Sequence, residues 1–159
     1  MGEAFVSQFQ PQDPDYEERV RASFGRQRVM DTIGAALSRV APGEVDITLP
    51  FREDLTQQHG FLHAGIVTTI VDSACGYAAL SLMPPDVGVL TVEYKVNLLA
   101  PASGTSLIAR GRVTKPGRTI TVCAGDVYAY TEGENGREKL VATMLATMMT
   151  VRERAGIAD

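Results

Sequence analysis

The residues best suited to chemistry lie in one stretch, residues 57–77, which reads QQHGFLHAGIVTTIVDSACGY. After a polar entry segment the run is apolar on nearly every side, which is typical of a buried helix. Asp72 is the only formal charge between His63 and Asp86, and a desolvated carboxylate is costly. A lone Asp on a helix is more often a surface or capping residue. The small residues around Asp72 let a ligand approach closely and favour a chemical role.

This stretch resembles the hotdog-fold acyl-CoA thioesterases of the phenylacetate-degradation and 4-hydroxybenzoyl-CoA type. Their pattern is an Asn or Gln, a Gly, and then His-Gly-Gly opening a long buried helix that carries an Asp or Glu about two turns in. Here Gln57 takes the amide position and Gly60 that of the first glycine. Residues 63–65 occupy the positions of the His-Gly-Gly triplet, and Asp72 occupies the position of the acidic residue. The segment LTVEYKVNLLAPASG, residues 90–104, is similar to the strand after the helix, so the resemblance covers roughly residues 43–151.

Two departures from the family pattern concern the reacting groups. Ala64 replaces a glycine whose backbone N–H is thought to hold the thioester carbonyl. The methyl group keeps the N–H but narrows the space beside the carbonyl. The amide and the acid are Gln57 and Asp72, whereas the family pairs Gln with Glu or Asn with Asp. The reach of the two side chains therefore differs from the family pattern.

The resemblance implies hydrolysis of a thioester, which requires a polarised carbonyl and an activated nucleophile. The free N–H groups at a helix start near Ala64 would form an oxyanion hole. Asp72 would act as general base on water or as a nucleophile that forms a mixed anhydride, and both routes stay open. Gln57 would orient the water or the carbonyl through an amide that donates and accepts. The predicted catalytic residues are Asp72, Gln57, Ala64, His63 and Gly65.

The resemblance also implies contacts with the rest of the substrate. Thr91 corresponds to a Ser or Thr near the reacting centre. Considered without the resemblance, it is more often an ordinary threonine of a strand. Gly117 and Arg118 correspond to a Gly-Arg pair near the CoA phosphates, and Lys115 adds a charge, although basic turns are common on solvated surfaces. Gln58 completes the predicted substrate-binding residues.

A metal site is not predicted. His59 and His63 are four residues apart and could face one metal from a helix. The intervening Gly60 and the loop context disfavour that interpretation, and no Glu follows the first His. His63 is instead expected to hold the loop to the helix through hydrogen bonds.

Alternating apolar residues and turn signals predict the other elements. Asp13 or Asp15 would cap an amphipathic helix that runs from Tyr16 to Met30, and Pro84 and Pro85 would end the buried helix. The predicted strands are residues 35–40, 45–49, 87–99, 107–115, 119–130 and 139–151. This order predicts an α+β protein. The resemblance implies the hotdog fold, an antiparallel sheet wrapped around a long central helix, with edge strands where a second subunit could pair.

Length and composition narrow the function classes. The length of 159 residues predicts a single domain, 1–159, which the resemblance implies is a hotdog thioesterase domain, with residues 1–30 packed on it as a lead-in and helix. The net charge of −4 and the lack of a long basic run argue against nucleic acid or a membrane surface as partner. The N-terminal MGEAFVSQF lacks the features of a secretory signal. Cys75 and Cys123 fit core thiols, so a cytoplasmic location is predicted.

The sequence thus predicts an acyl-CoA thioesterase that acts as a homodimer or a dimer of dimers. It would use no cofactor beyond the CoA of its substrate. One alternative is a hotdog enoyl-CoA hydratase or dehydratase that uses His63 and Asp72. A second is a non-catalytic acyl-CoA-binding module. The acyl pocket is expected to be apolar, with Tyr77, Leu80 and Met83 near the helix end.

Overall fold

The computed structural model describes residues 8–132, 136–157 and 159. Most of the segment on which the signal prediction rests, residues 1–7, lies outside them. The helices are α1 (Tyr16–Arg26), α2 (Arg28–Ile33), α3 (Ala64–Leu80) and a 3-10 turn (Glu53–Leu55). The strands are β1 (Ala36–Ala41), β2 (Glu44–Pro50), β3 (Gly88–Leu98), β4 (Ser106–Lys115), β5 (Ile120–Thr131) and β6 (Arg137–Val151).

The six strands form one antiparallel sheet in the order β1-β2-β4-β5-β6-β3. Helix α3 crosses one face of the sheet, and its Ile70, Val71 and Ala74 side chains are fully buried. The inward residues of β2 alternate with outward ones, as the sequence indicates. The α+β architecture with a central helix is therefore confirmed. No helix in the described part of the chain has both the length and the apolar character needed to cross a membrane.

Two glycines allow α3 to approach the sheet closely. A Cβ atom on Gly111 would collide with the backbone of Ala74, and one on Gly125 would collide with the side chains of Val71 and Cys75. Because the colliding atoms include helix backbone, larger residues would force α3 away from β4 and β5.

The predicted N-terminal helix is interrupted at Gln27, so that α1 and α2 replace one continuous helix. Gln27 leaves the helical region with φ −82° and ψ 89°. The turn is closed by hydrogen bonds from Gln27 N to Phe24 O and from Met30 N to Gln27 O, both at 3.0 Å. The single-helix prediction was wrong here because long-range packing, described below, outweighs the local helical pattern.

The predicted capping of α1 also differs. Asp15 occupies the N-cap position, but its side chain makes no capping hydrogen bond to the described residues. The side chain of Asp13 instead accepts from Asp15 N at 2.9 Å and forms an ion pair with Arg19 at 3.0 Å. Both partners in that pair are largely buried.

Helix α3 ends at Leu80, before the two prolines that were predicted to end it. The Arg19 guanidinium donates to the carbonyl oxygens of Leu80, Met83 and Pro84 at 2.9, 2.9 and 2.7 Å. These carbonyls lie at or just beyond the helix end, where no intrahelical donor remains. Arg19 of α1 therefore supplies hydrogen-bond donors to carbonyl groups at the C-terminal end of α3.

Strand β3 is an edge of the sheet and is unusually apolar for an exposed position. Val92, Tyr94 and Leu98 are 49%, 46% and 53% exposed. A long edge strand with exposed apolar side chains is a ready template for pairing with another chain. This edge matches the predicted place for a second subunit.

Candidate active site

The start of α3 is held by His63, which is the N-cap residue. Its Nδ1 atom accepts a hydrogen bond from Gly65 N at 2.9 Å, while Ile66 N and Val67 N both donate to His63 O. A Cβ on residue 65 would lie 3.1 Å from that Nδ1 atom, so glycine leaves room for the imidazole. The Ala64 N–H has no acceptor among the described residues. Ala64, rather than Gly65, thus offers the free donor of the predicted oxyanion hole.

Gln57 lies in a tight turn that leads to the helix. Gly60 N donates to Gln57 O at 3.0 Å, and Gly60 adopts a left-handed conformation with φ +81°. The side-chain oxygen of Gln57 accepts from His59 N. Its Nε2 atom has no acceptor in the described part of the chain, so it remains available as a donor.

Gln57 and Ala64 border the same cavity, which we call the Gln57 cavity. It measures about 420 Å³. Its lining is Gln57, Phe61, Leu62, Ala64, Val67, Leu98, Leu99, Ala100, Pro101, Ala102 and Val141. Apart from the Gln57 amide, these side chains are apolar. The cavity is therefore an apolar space with the helix start at its border.

Asp72 lies on α3 and faces β3. Thr91 Oγ1 donates to Asp72 Oδ1 at 2.8 Å. Burial raises the pKa of Asp72 above its ordinary value, and the hydrogen bond from Thr91 opposes that rise. No ion pair to Asp72 forms within the described residues. A carboxylate in this setting is a stronger base than an exposed one.

Asp72 borders a second, smaller cavity of about 140 Å³, which we call the Asp72 cavity. It is lined by Ser23, Gln27, Asp72, Ser73, Gly76, Tyr77, Val89, Thr91 and Asp159. Most of these side chains are polar. Sequence reasoning missed Ser23, Gln27, Ser73 and Asp159. Only Ser73 carried a local signal, its position next to Asp72, because the others arrive from distant parts of the chain.

Within one chain, the three residues expected near the acyl pocket, Tyr77, Leu80 and Met83, lie in different surroundings. Tyr77 borders the polar Asp72 cavity, and Leu80 is fully buried in the core. Met83 lies beyond the end of α3 and borders a different cavity. Since a second subunit was also expected to line the acyl pocket, its apolar character stays a prediction.

The acid and the free N–H are separated within one chain. Ala64 and Asp72 are eight positions apart on α3, which is about 12 Å along a helix axis. They border different cavities. The chain brings Gln57 to Ala64 and Thr91 to Asp72, but it does not bring the two pairs together.

The predicted CoA-binding residues lie at the other end of α3. Gly117 and Arg118 border a cavity of about 330 Å³ together with Arg152. Arg152 donates to Arg118 O at 3.3 Å and adds a second guanidinium that the sequence did not single out. Lys115 is exposed at the end of β4.

Gln58 is also exposed, on the turn before α3. Its Nε2 atom lies 3.4 Å from His59 Nε2.

Neither a metal cluster nor a reactive thiol is found in the described part of the chain. His, Cys, Asp and Glu side chains form no group of three or more there that could hold a metal. Cys75 and Cys123 are free and buried. Burial raises the pKa of both thiols, that of Cys123 to about 12, which leaves them protonated and unreactive.

This chain is similar to known proteins in sequence and in fold. Residues 59–135 match the model of the Thioesterase superfamily. A solved thioesterase family protein from Silicibacter pomeroyi is 52% identical, covers 86% of this chain and 98% of its own, and superposes with a TM-score of 0.83. Human acyl-coenzyme A thioesterase 13 is 29% identical over 109 residues, 68% of this chain and 76% of the relative. The E. coli PaaI protein from the phenylacetic acid degradation operon is 16% identical with a TM-score of 0.76, covering 92% and 98% of the two chains. It shares the fold, which confirms the predicted hotdog arrangement.

Proposed function

Since this chain belongs to the thioesterase superfamily and is a thioester hydrolase, we propose that its substrate is an acyl-CoA and that Asp72 is the catalytic acid residue. One observation carries the proposal. Asp72 is a half-buried carboxylate without an ion-pair partner among the described residues, held by Thr91 beside a cavity. The same helix begins with the unpaired Ala64 N–H.

The proposed reaction needs ionised Asp72. In the first route Asp72 takes a proton from water while the water oxygen attacks the thioester carbon. In the second route the carboxylate attacks that carbon directly, and water then hydrolyses the anhydride. In both, the Ala64 N–H stabilises the charge on the carbonyl oxygen, the C–S bond breaks, and CoA leaves as a thiolate that takes up a proton. Both routes remain part of the proposal.

The remaining residues of the helix start support the carbonyl site. Gln57 Nε2 is assigned the role of a second donor to the carbonyl or the water. His63 and Gly65 position the Ala64 N–H through the hydrogen bond between them. Because His63 Nδ1 already accepts from Gly65, the imidazole is committed to holding the helix start.

The CoA part of the substrate is assigned to the basic end of α3. Arg118 and Gly117 would bind phosphate, and Arg152 supports the assignment because its guanidinium adds a second positive charge to the same cavity. Lys115 and Gln58 would contact the ligand from exposed positions.

We also propose that the active unit is a homodimer, itself paired into a dimer of dimers. Two observations support a dimer. The apolar edge of β3 is exposed, and Asp72 and Ala64 border different cavities within one chain. A second subunit on β3 could bring its Ala64 to the first subunit's Asp72. We place the enzyme in the cytoplasm, a proposal supported by the two free buried thiols.

Thiol release from short, medium, long and aryl acyl-CoAs tests the proposal. We expect Asp72→Asn to reduce turnover at least about 100-fold, because it removes the base or nucleophile and keeps the shape. Asp31→Asn is the matched control, since Asp31 is exposed on α2 and borders none of the cavities described here. Equal turnover by wild type and Asp72→Asn would refute the role of Asp72. Binding of acyl-CoA with no turnover by the wild type would instead favour a binding module.

A further inference from the structure

The Asp72 cavity contains a polar pair that the proposed hydrolysis does not use. Gln27 Nε2 donates to Ser73 Oγ at 3.2 Å. Gln27 Oε1 is buried and has no hydrogen-bond partner among the described residues. Ser73 is 7% exposed, and the proton of its hydroxyl has no acceptor among the described residues. An unused acceptor and an unused donor therefore stand side by side, which is unfavourable unless a ligand or water satisfies them.

The backbone is shaped to bring Gln27 to this position. The local sequence predicts a continuous helix through residue 27, yet the helix breaks there and the amide reaches Ser73 on α3. Departures from local preference are often found where a side chain has a functional task. The break is thus best explained by the placement of the Gln27 amide in the Asp72 cavity.

The cavity is small, and polar contacts form part of its wall. Ser23 Oγ donates to Asp159 Oδ1 at 2.6 Å, and Val89 N lies 3.3 Å from Asp159 Oδ2. These groups are paired with one another by hydrogen bonds and form part of the cavity wall. The volume of about 140 Å³ is close to that of cavities which hold a benzene molecule, about 150 Å³. An acyl group of about six carbon atoms or fewer would fill it.

We propose that Gln27 and Ser73 form a hydroxyl-recognition subsite, and that the enzyme prefers short acyl thioesters with a hydroxyl group on the acyl chain. A hydroxyl can donate to Gln27 Oε1 and accept from Ser73 Oγ at once, so it satisfies both unused groups. A hydrocarbon chain would leave both unsatisfied. The inference rests on the proposed function, because it assigns the acyl group to the cavity that Asp72 borders. Gln27 is a specificity-determining residue and takes no part in bond breaking.

The test compares butyryl-CoA with 2- and 3-hydroxybutyryl-CoA, both enantiomers of each, in thiol-release assays. We expect the wild type to show at least about tenfold higher kcat/KM for one hydroxy substrate than for butyryl-CoA, the effect of about one hydrogen bond. Gln27→Met keeps the side-chain length and removes both polar atoms, and it should abolish that preference, mainly through KM. Gln10→Met is the matched control, since Gln10 is exposed and borders none of these cavities. Thermal unfolding checks that each variant is folded.

A second measurement separates this inference from the proposed function. Calorimetric binding of the same CoA esters to Asp72→Asn reports recognition without turnover. Tighter binding of a hydroxy ester, lost when Gln27→Met is added, supports the subsite even if the wild type releases no thiol from any ester. Turnover without a hydroxyl preference, or a preference that survives Gln27→Met, overturns the subsite and leaves the hydrolase intact. In that case an ordered water satisfies Gln27.

Discussion

Two opposing effects set the pKa of Asp72. Burial favours its neutral form, and the Thr91 hydroxyl favours its charged form by donating at 2.8 Å. The net effect is a pKa above the ordinary value of Asp, so this carboxylate holds a proton more strongly than an exposed one. A single hydroxyl therefore influences the pH range over which the proposed enzyme works.

Replacing Thr91 by Val should shift the pH profile. The variant loses the hydrogen bond that lowers the pKa of Asp72, so that pKa rises further. Because hydrolysis needs ionised Asp72, the acidic limb of kcat/KM should move to higher pH. Thr147→Val is the matched control, since Thr147 donates to the exposed Glu93 at 3.2 Å and lies away from the cavity. An acidic limb that stays in place in Thr91→Val, or moves to lower pH, would contradict this account.

Asp72→Asn should make the protein more stable at neutral pH while removing activity. A carboxyl group whose pKa is raised by folding holds its proton more tightly in the folded state. Its contribution is therefore full below the unfolded-state pKa and is lost as pH rises through the folded-state pKa. Asn stays neutral and still accepts from Thr91. The stability difference between variant and wild type, measured by urea unfolding, should grow as pH rises from about 4 towards 8. A difference that shrinks over this range would show that burial of Asp72 is not the dominant influence.

At the scale of the elements, side chains form hydrogen bonds with backbone groups at both ends of α3. His63 satisfies Gly65 N at the start. Arg19 of α1 satisfies three carbonyl oxygens at and beyond the end, and is itself paired with the buried Asp13. The helix that carries Ala64 and Asp72 is thus positioned by the N-terminal segment as well as by the sheet.

Arg19→Met should destabilise the protein strongly, by about 3–5 kcal/mol, because it leaves Asp13 charged, buried and unpaired. Arg21→Met on the same helix is the control. Arg21 pairs with Glu17 at 2.8 Å, but both side chains are about half exposed, so its loss should change stability by less than about 1 kcal/mol. Chemical denaturation of both variants measures the difference. Similar small losses for both would mean that Arg19 does not hold the end of α3.

At the scale of the whole molecule, the proposed dimer accounts for two features, the exposed edge of β3 and the separation of Asp72 from Ala64. One chain supplies a carboxylate in one cavity and a free N–H in another. A continuous sheet across two copies would cover the apolar side chains of β3 and complete two sites at once.

Val92→Asp should therefore weaken self-association and activity together. Val92 is 49% exposed on β3, and a charge there would be desolvated by a partner strand. Val29→Asp is the matched control, since Val29 is 43% exposed on α2, away from that edge. Light scattering should show half the wild-type mass for Val92→Asp, because only the β3 interface is lost, with turnover reduced at least about 100-fold, and an unchanged assembly for Val29→Asp. A fully active Val92→Asp protein of half the wild-type mass would mean that the β3 interface does not complete the site.

The pattern of residues along the chain was sufficient to predict much of this protein. The alternation in β2, β4, β5 and β6 and the apolar run of α3 predict a buried helix against an antiparallel sheet, because each pattern records the burial of its own element. The spacing of Gln57, the residues of the α3 start and Asp72 pointed to the thioesterase resemblance, since these groups all lie on or beside one helix.

Only the tertiary structure decided how distant segments meet. Three contacts join residues far apart in sequence: Gln27 with Ser73, Arg19 with the carbonyl oxygens at the end of α3, and Gly111 with Ala74. The helix break at Gln27 accompanies the first of these contacts. Such contacts leave no periodic signal, because they depend on where whole elements lie rather than on the neighbours of a residue. The spacing of Ala64 and Asp72 on one helix already separates them by about 12 Å, but only packing decided which other side chains line the cavity beside each of them.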